Sequence, residues 1–202
     1  MSDATQKGDR VALPVGAYET RANGWYGLWG LIATEGALFV FLLFSYYYLL
    51  FHAREPWPPM EMPKFNLSGP GSAILWSSSG VIWVAERLVK KSRRVLASLL
   101  TALTLVMGIV FLGIQVEEWA AKPFDFGGSA YASLFFTITG FHMAHVLVGV
   151  VILLAMLVWT VMGYFNENRN TVYSIGAAYW HFVDIVWVFV FATFYVSPYV
   201  LR

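Results

Sequence analysis

Five long apolar runs decide what this chain can become. They lie at about 25–50, 72–89, 96–119, 131–162 and 173–200. A helix needs about 20 mostly apolar residues to cross about 30 Å of hydrocarbon. Inside lipid every backbone polar group must bond within the protein, which leaves only helices and closed barrels. Alternating segments of about ten residues, the mark of a membrane barrel, are not seen in the sequence. The expected fold is an all-α integral membrane bundle of five transmembrane helices. Composition agrees, with 58% of residues apolar and 12% charged, against about 45–50% and about 25% in soluble domains. A net charge of +1 creates no field for gathering nucleic acid, so no nucleic-acid partner is expected. The chain has no cysteine, which excludes disulfides, thiolate metal sites and cysteine nucleophiles.

Residues 1–24 read as a polar tail without the apolar stretch of a signal peptide, and 25–202 as the membrane domain. Lys7, Arg10, Arg21, the cluster Arg87, Lys90, Lys91, Arg93 and Arg94, and Arg169 fall on one side of the five runs. Arg54, Lys64, Lys122 and Arg202 fall on the other. Basic residues collect on the cytoplasmic side, so the N-terminus is expected in the cytoplasm and the C-terminus outside. The 51–71 segment contains Pro56, Pro58, Pro59, Pro63 and Pro70 and reads as an extended connection, because proline fixes φ and removes a donor. The sequence shows no internal repeat of the kind common in transporters.

Ionisable groups inside hydrocarbon are expensive, so each needs a partner or a purpose. With a rise of about 1.5 Å per residue, Glu35 lies roughly 15 Å from Trp25. His181 and Asp184 lie roughly 12–17 Å from the start of the fifth run, and His145 roughly 21 Å from the start of the fourth. All four can share one polar layer. His142 and His145 are three residues apart, as are His181 and Asp184, so each pair shares a helix face. An Asp one turn from a His can accept its N–H and fix its tautomer. Two readings stand for Glu35: a carboxyl that hydrogen-bonds helices together, or one that handles protons or touches lipid. The same choice, structural bond or proton step, stands for His181 with Asp184. Gln115 and Glu118 join the polar set at the end of the third run, where solvation would satisfy Glu117 and Glu118. Gly36, Ser77, Ser78, Ser79, Gly80, Gly108, Gly113, Gly140 and Gly149 are small residues that let helices approach. Four histidines, with His52 placed in a loop, are too few for a membrane di-iron site. Haem held between His142 or His145 and His181 has no support from spacing. No cofactor or metal site in the chain itself is expected.

Four stretches resemble subunit III of the haem-copper oxidases. In the fifth run, Tyr179 to Trp187 reads YWHFVDIVW, nearly identical to the family's last helix. Thr139 to Gly149 reads TGFHMAHVLVG, similar to the family's TGFHGxHVxxG with Met143 in place of glycine. Thr34-Glu35 precedes an aromatic-rich run, and Gln115 with Glu118-Trp119 matches a fourth element. The resemblance covers about Trp25 to Tyr199 and implies the short five-helix form found in bacteria, in the inner (plasma) membrane. It implies a non-catalytic subunit III of a cytochrome c oxidase of aerobic respiration. Such a subunit packs directly on subunit I, shares the complex with subunit II, stabilises it and supports proton uptake. It also implies that haem and copper sit in the partner subunits. Phospholipid contacts are implied too. In long members a V-shaped cleft beside the first two helices holds lipids, and here another subunit would have to supply that wall. Glu35 takes the position of the family's buried reactive glutamate. A quinol oxidase subunit III and the accessory protein of nitric oxide reductases are neighbouring alternatives, and quinol types often carry Asp at the position of Glu35. A free-standing membrane transporter is the alternative from another class.

Overall fold

The computed structural model describes residues 23–53, 57–58, 65–167 and 169–201. The tail at 1–22, Pro56, Pro59, Pro63 and the basic residues Arg54, Lys64 and Arg202 lie outside the described residues. The described chain is helical: α1 (Asn23–His52), α2 (Phe65–Lys90), α3 (Arg94–Ala120), α4 (Ala130–Val161) and α5 (Thr171–Phe191). One π turn (Ala192–Val196) and a last short helix, α6 (Ser197–Val200), extend α5. Among the described residues four helices are long and apolar enough to cross a membrane: α1, α3, α4 and α5 with its extension.

The exception is α2, which is long enough but carries Ser68, Ser72, Ser77, Ser78 and Ser79 and ends in Glu86, Arg87 and Lys90. Its start also departs from the sequence reading. Residues 65–71 are helical, with Pro70 inside the helix, where an extended connection was expected. Pro70 sits close to the N-terminus and removes one helical bond there. Burial outweighs that loss. Ser68, Gly71 and Ser72 are buried, and a Cβ added at Gly71 would stand 3.2 Å from Ile114 of α3. His52 is likewise the last residue of α1 and bonds the Tyr48 carbonyl at 2.8 Å.

Cross-helix partners give the directions. On α5, Ser174, Trp180 and Trp187 bond Glu86, Ser78 and Ser72 of α2, in that order. One number rises as the other falls, so α2 and α5 are antiparallel. Thr101 and Glu118 of α3 meet Tyr173 and Tyr195, so α3 runs parallel to α5. A Cβ at Gly24 of α1 would meet Ile175, and Tyr47 lies 3.2 Å from Thr193, so α1 is parallel as well. His142 and His145 of α4 meet Val183 and Tyr179 of α5 in reverse order, so α4 is antiparallel to α5 and successive helices alternate in direction. The turn from α2 to α3 is short and is closed by Ser92, with φ 55°, and Ser129 caps α4 by accepting from the Ala132 N–H at 3.0 Å.

At the centre stands Trp180, 1% exposed. A Cβ added at Gly108 of α3 would come within 2.6 Å of its ring, and one at Gly149 of α4 within 2.8 Å. Those glycines are the space the indole occupies. Not every small residue does this: at Gly80 and Gly113 an added Cβ meets nothing within 4 Å. The π turn was not anticipated. Pro198 has no N–H for the carbonyl one turn back and crowds that turn, and the widened turn precedes it directly.

We expect Gly149→Ala to destabilise the bundle by about 1–3 kcal/mol through overpacking. Gly113→Ala should be neutral or slightly stabilising, since helix propensity favours alanine by about 1 kcal/mol. Denaturant titration of both variants in detergent, followed by circular dichroism, measures the difference.

Candidate functional site

The polar side chains gather in three places, each defined by the helices that meet there. The first lies between α1 and α4. His145 Nε2 is 3.2 Å from Glu35 Oε2, and its Nδ1 bonds the Phe141 carbonyl at 2.7 Å. A carbonyl only accepts, so Nδ1 carries a proton. Nε2 then accepts from a protonated Glu35, or carries a second proton facing a carboxylate. Either way one proton lies between the two groups. Phe39 packs edge-on to the imidazole, with centroids 5.1 Å apart. The pair lies on a cleft of about 620 Å³ lined by Leu28, Leu31, Val148, Trp159 and Tyr179 among others. Apart from Glu35 and His145 this lining is almost wholly apolar, so the cleft suits an apolar chain with a proton-sharing pair along its wall.

The second place is the α2–α5 seam. The expected direct bond between His181 and Asp184 is not made. Ser79 of α2 stands between them: its hydroxyl donates to Asp184 Oδ2, and His181 Nδ1 is 3.1 Å from the Ser79 Oγ. With the serine proton committed to Asp184, His181 Nδ1 is the donor and its Nε2 the acceptor. Asp184 Oδ1 is buried without a partner among the described residues. The seam continues on both sides of this triad. Trp180 Nε1 donates to Ser78 at 2.9 Å, Trp187 Nε1 to Ser72 at 2.8 Å, and Ser174 to Glu86 at 2.6 Å. Glu86 also pairs with Lys90 at 2.6 Å.

The third place lies near the opposite end of α5 from Ser174. Glu118 is 3% exposed, so solvation does not satisfy it as expected from its place near the run's end. Its Oε1 accepts from Lys122 Nζ at 3.0 Å and from the Tyr195 hydroxyl. Glu117 is exposed. Gln115 is buried one turn earlier, and its Nε2 has no partner among the described residues.

His142 and His145, expected to share a face, serve different neighbours. His142 is fully buried, with Nε2 3.2 Å from the Val183 carbonyl and its ring against Trp187 and Phe111. Thus Glu35 and His145 meet, His181 and Asp184 meet through a serine, and Gln115 and Glu118 form a separate cluster. Among the described residues no group of three or more His, Asp or Glu could hold a metal ion. Sequence reasoning counted Ser78 and Ser79 only as small packing residues and did not single out Ser72. Their hydroxyls are the hydrogen-bonding partners of α5. The one available signal was their recurrence on a helix too polar to face lipid.

Comparison with known proteins covers nearly the whole chain. The family model for cytochrome c oxidase subunit III matches residues 20–199. Cytochrome c oxidase subunit 3 of Drosophila yakuba is 32% identical over 178 residues, covering 83% of this chain and 68% of the relative. The proteins of the same name from Lycodon semicarinatus and Ornithorhynchus anatinus are 31% and 30% identical, covering 86% and 84% of this chain and 69% and 68% of theirs.

Two substitutions probe the polar sites. Glu35→Gln should leave the folded bundle intact if Glu35 is the neutral donor, because the amide also donates to His145 Nε2. Loss of the folded protein in detergent would mean an ion pair. Ser79→Ala leaves His181 and Asp184 without their common partner and should cost about 1–2 kcal/mol, at the upper end of hydrogen bonds measured in membrane proteins. The denaturation midpoint reports it.

Proposed function

This chain belongs to the cytochrome c oxidase subunit III family, and on that premise we propose that it is a non-catalytic subunit of the haem-copper oxidase it helps to build. It packs on subunit I, stabilises the complex and supports proton uptake, while haem and copper reside in subunits I and II. The observation that carries the reading is where its own polar groups go. The imidazoles of His142, His145 and His181 each bond a group on a separate helix contact. They hold helices together and do not converge on a common centre.

The same reading assigns α2 as a fifth span, with its serines satisfied by α5. It sets the N-terminus in the cytoplasm and the C-terminus outside. In support, Arg87, Lys90, Lys91, Arg93, Arg94 and Arg169 lie at the bundle end shared by the start of α1 and the start of α5, and Lys122 lies at the other. Basic residues favour the cytoplasmic face. The resemblance to the short form favours the bacterial plasma membrane. The cleft beside Glu35 would take a phospholipid acyl chain, given its apolar lining.

The test is purification of the tagged chain from its own membranes in mild detergent. We expect haem-bearing oxidase subunits to co-purify, identified by mass spectrometry and a Soret absorbance. The chain expressed alone should show neither a Soret band nor stoichiometric copper. A chain that is stable and haem-loaded alone would overturn the non-catalytic reading.

A further inference from the structure

Two buried atoms near the end of α3 complement each other. Gln115 Nε2 is a donor and Glu118 Oε2 an acceptor, and neither has a hydrogen-bond partner among the described residues. The two residues are 1% and 3% exposed. They stand three positions apart, on one face of the helix. His142 Nδ1 and Asp184 Oδ1 are orphaned as well, but they sit singly on α4 and α5. Buried polar groups are almost always bonded, to protein or to ordered water.

The neighbours explain why the pair does not close on itself. Glu118 is drawn toward the end of α3. Its Oε1 takes Lys122 Nζ from the next turn, and the Tyr195 hydroxyl from the widened turn of α5. Gln115 leans the other way, since helical side chains tilt toward the N-terminus of their helix. Lys122 Nζ also lies over the rings of Phe135 and Tyr195, 4.9 and 5.4 Å from their centroids. The carboxylate, its cation and the phenol are thus one compact group with aromatic walls.

The donor set selects the ligand. A cation does not suit it, because Lys122 already neutralises Glu118 and Gln115 presents an N–H. An anion would face the carboxylate. A small neutral molecule that accepts from Nε2 and donates to Oε2 satisfies both, and water does so in the least space. Gln115 lies roughly 7–8 Å from the end of α3, within reach of the bilayer surface that supplies water.

We propose that an ordered water binds between Gln115 and Glu118, accepting from Nε2 and donating to Oε2. It completes the hydrogen bonding of the carboxylate that Lys122 and Tyr195 hold on its other oxygen, and so helps to fix α3 to the widened turn of α5. The site belongs to the chain itself, whatever complex it joins.

The chain has two glutamines, Gln6 and Gln115, so selective isotope labelling isolates the site. The full chain, labelled at the glutamine side-chain nitrogen and the tryptophan indole nitrogen, is placed in lipid bilayers. Solid-state NMR then follows magnetisation passing from water to each labelled N–H. Gln115→Met removes the donor at similar volume and assigns the Gln115 signal by its loss. We expect the Gln115 amide to receive water magnetisation several-fold faster than the indole of Trp187, which is equally buried but bonded to Ser72. Equal or slower transfer would overturn the proposal. A second measurement needs no variant: an experimental density map of the wild-type protein that resolves ordered water. A peak at hydrogen-bond distance from both Nε2 and Oε2 supports the site. A direct bond between the two side chains, or no density between them, overturns it.

Discussion

The bundle depends on the seat of one indole. Trp180 projects from α5 into a space that exists because α3 and α4 place glycines opposite it, at Gly108 and Gly149. Its N–H reaches Ser78 of α2. One side chain thereby fixes the spacing of four helices: two by steric limit, one by a directed bond and one by its own backbone. Between apolar helices in lipid there is little hydrophobic force to choose one packing over another, so close fit and hydrogen bonds must choose. Tight packing at Trp180 supplies the fit, and the indole N–H supplies the register.

From that point polarity is spent in two ways. Along the α2–α5 seam, Ser72, Ser78, Ser79 and Glu86 meet Trp187, Trp180, Asp184 and Ser174, so a helix rich in hydroxyls hides them against a neighbour. At Glu35 with His145 and at Glu118 with Lys122 and Tyr195, ionisable groups satisfy one another at the edges of the bundle. Each small bond contributes little by itself, and the seam matters because it repeats along the length of two helices.

Much of the helical plan is legible in the sequence. Long apolar runs, separated by basic or Gly/Pro-containing segments, mark helices because lipid permits little else. The start of α2 was not legible, since Pro70 and Gly71 carry the local signature of a loop, and it is the burial of their neighbours Ser68 and Ser72, with Gly71 against α3, that holds the segment helical. The polar sites were half legible. An expensive residue such as Glu35 or Asp184 announces itself, but its partner is chosen by tertiary register. Periodicity put His181 beside Asp184, and no local rule could insert Ser79 from a helix about a hundred residues earlier. Glu118 was misjudged for a related reason. Its place near the end of a run suggests water, whereas the widened turn before Pro198 carries Tyr195 close to it.

The composition of α2 has a consequence for how the protein is made. A helix whose serines are satisfied by α5 emerges from the ribosome well before α5 exists. On its own it partitions into lipid weakly, because its hydroxyls and terminal charges have nothing to meet. The short turn at Ser92 gives it an immediate companion, the far more apolar α3, against which Gly71 already packs closely. With α2 as the proposed fifth span, the two helices are suited to enter the bilayer as one hairpin, α3 carrying its polar neighbour until synthesis delivers α5, whose Trp180 and Trp187 complete it.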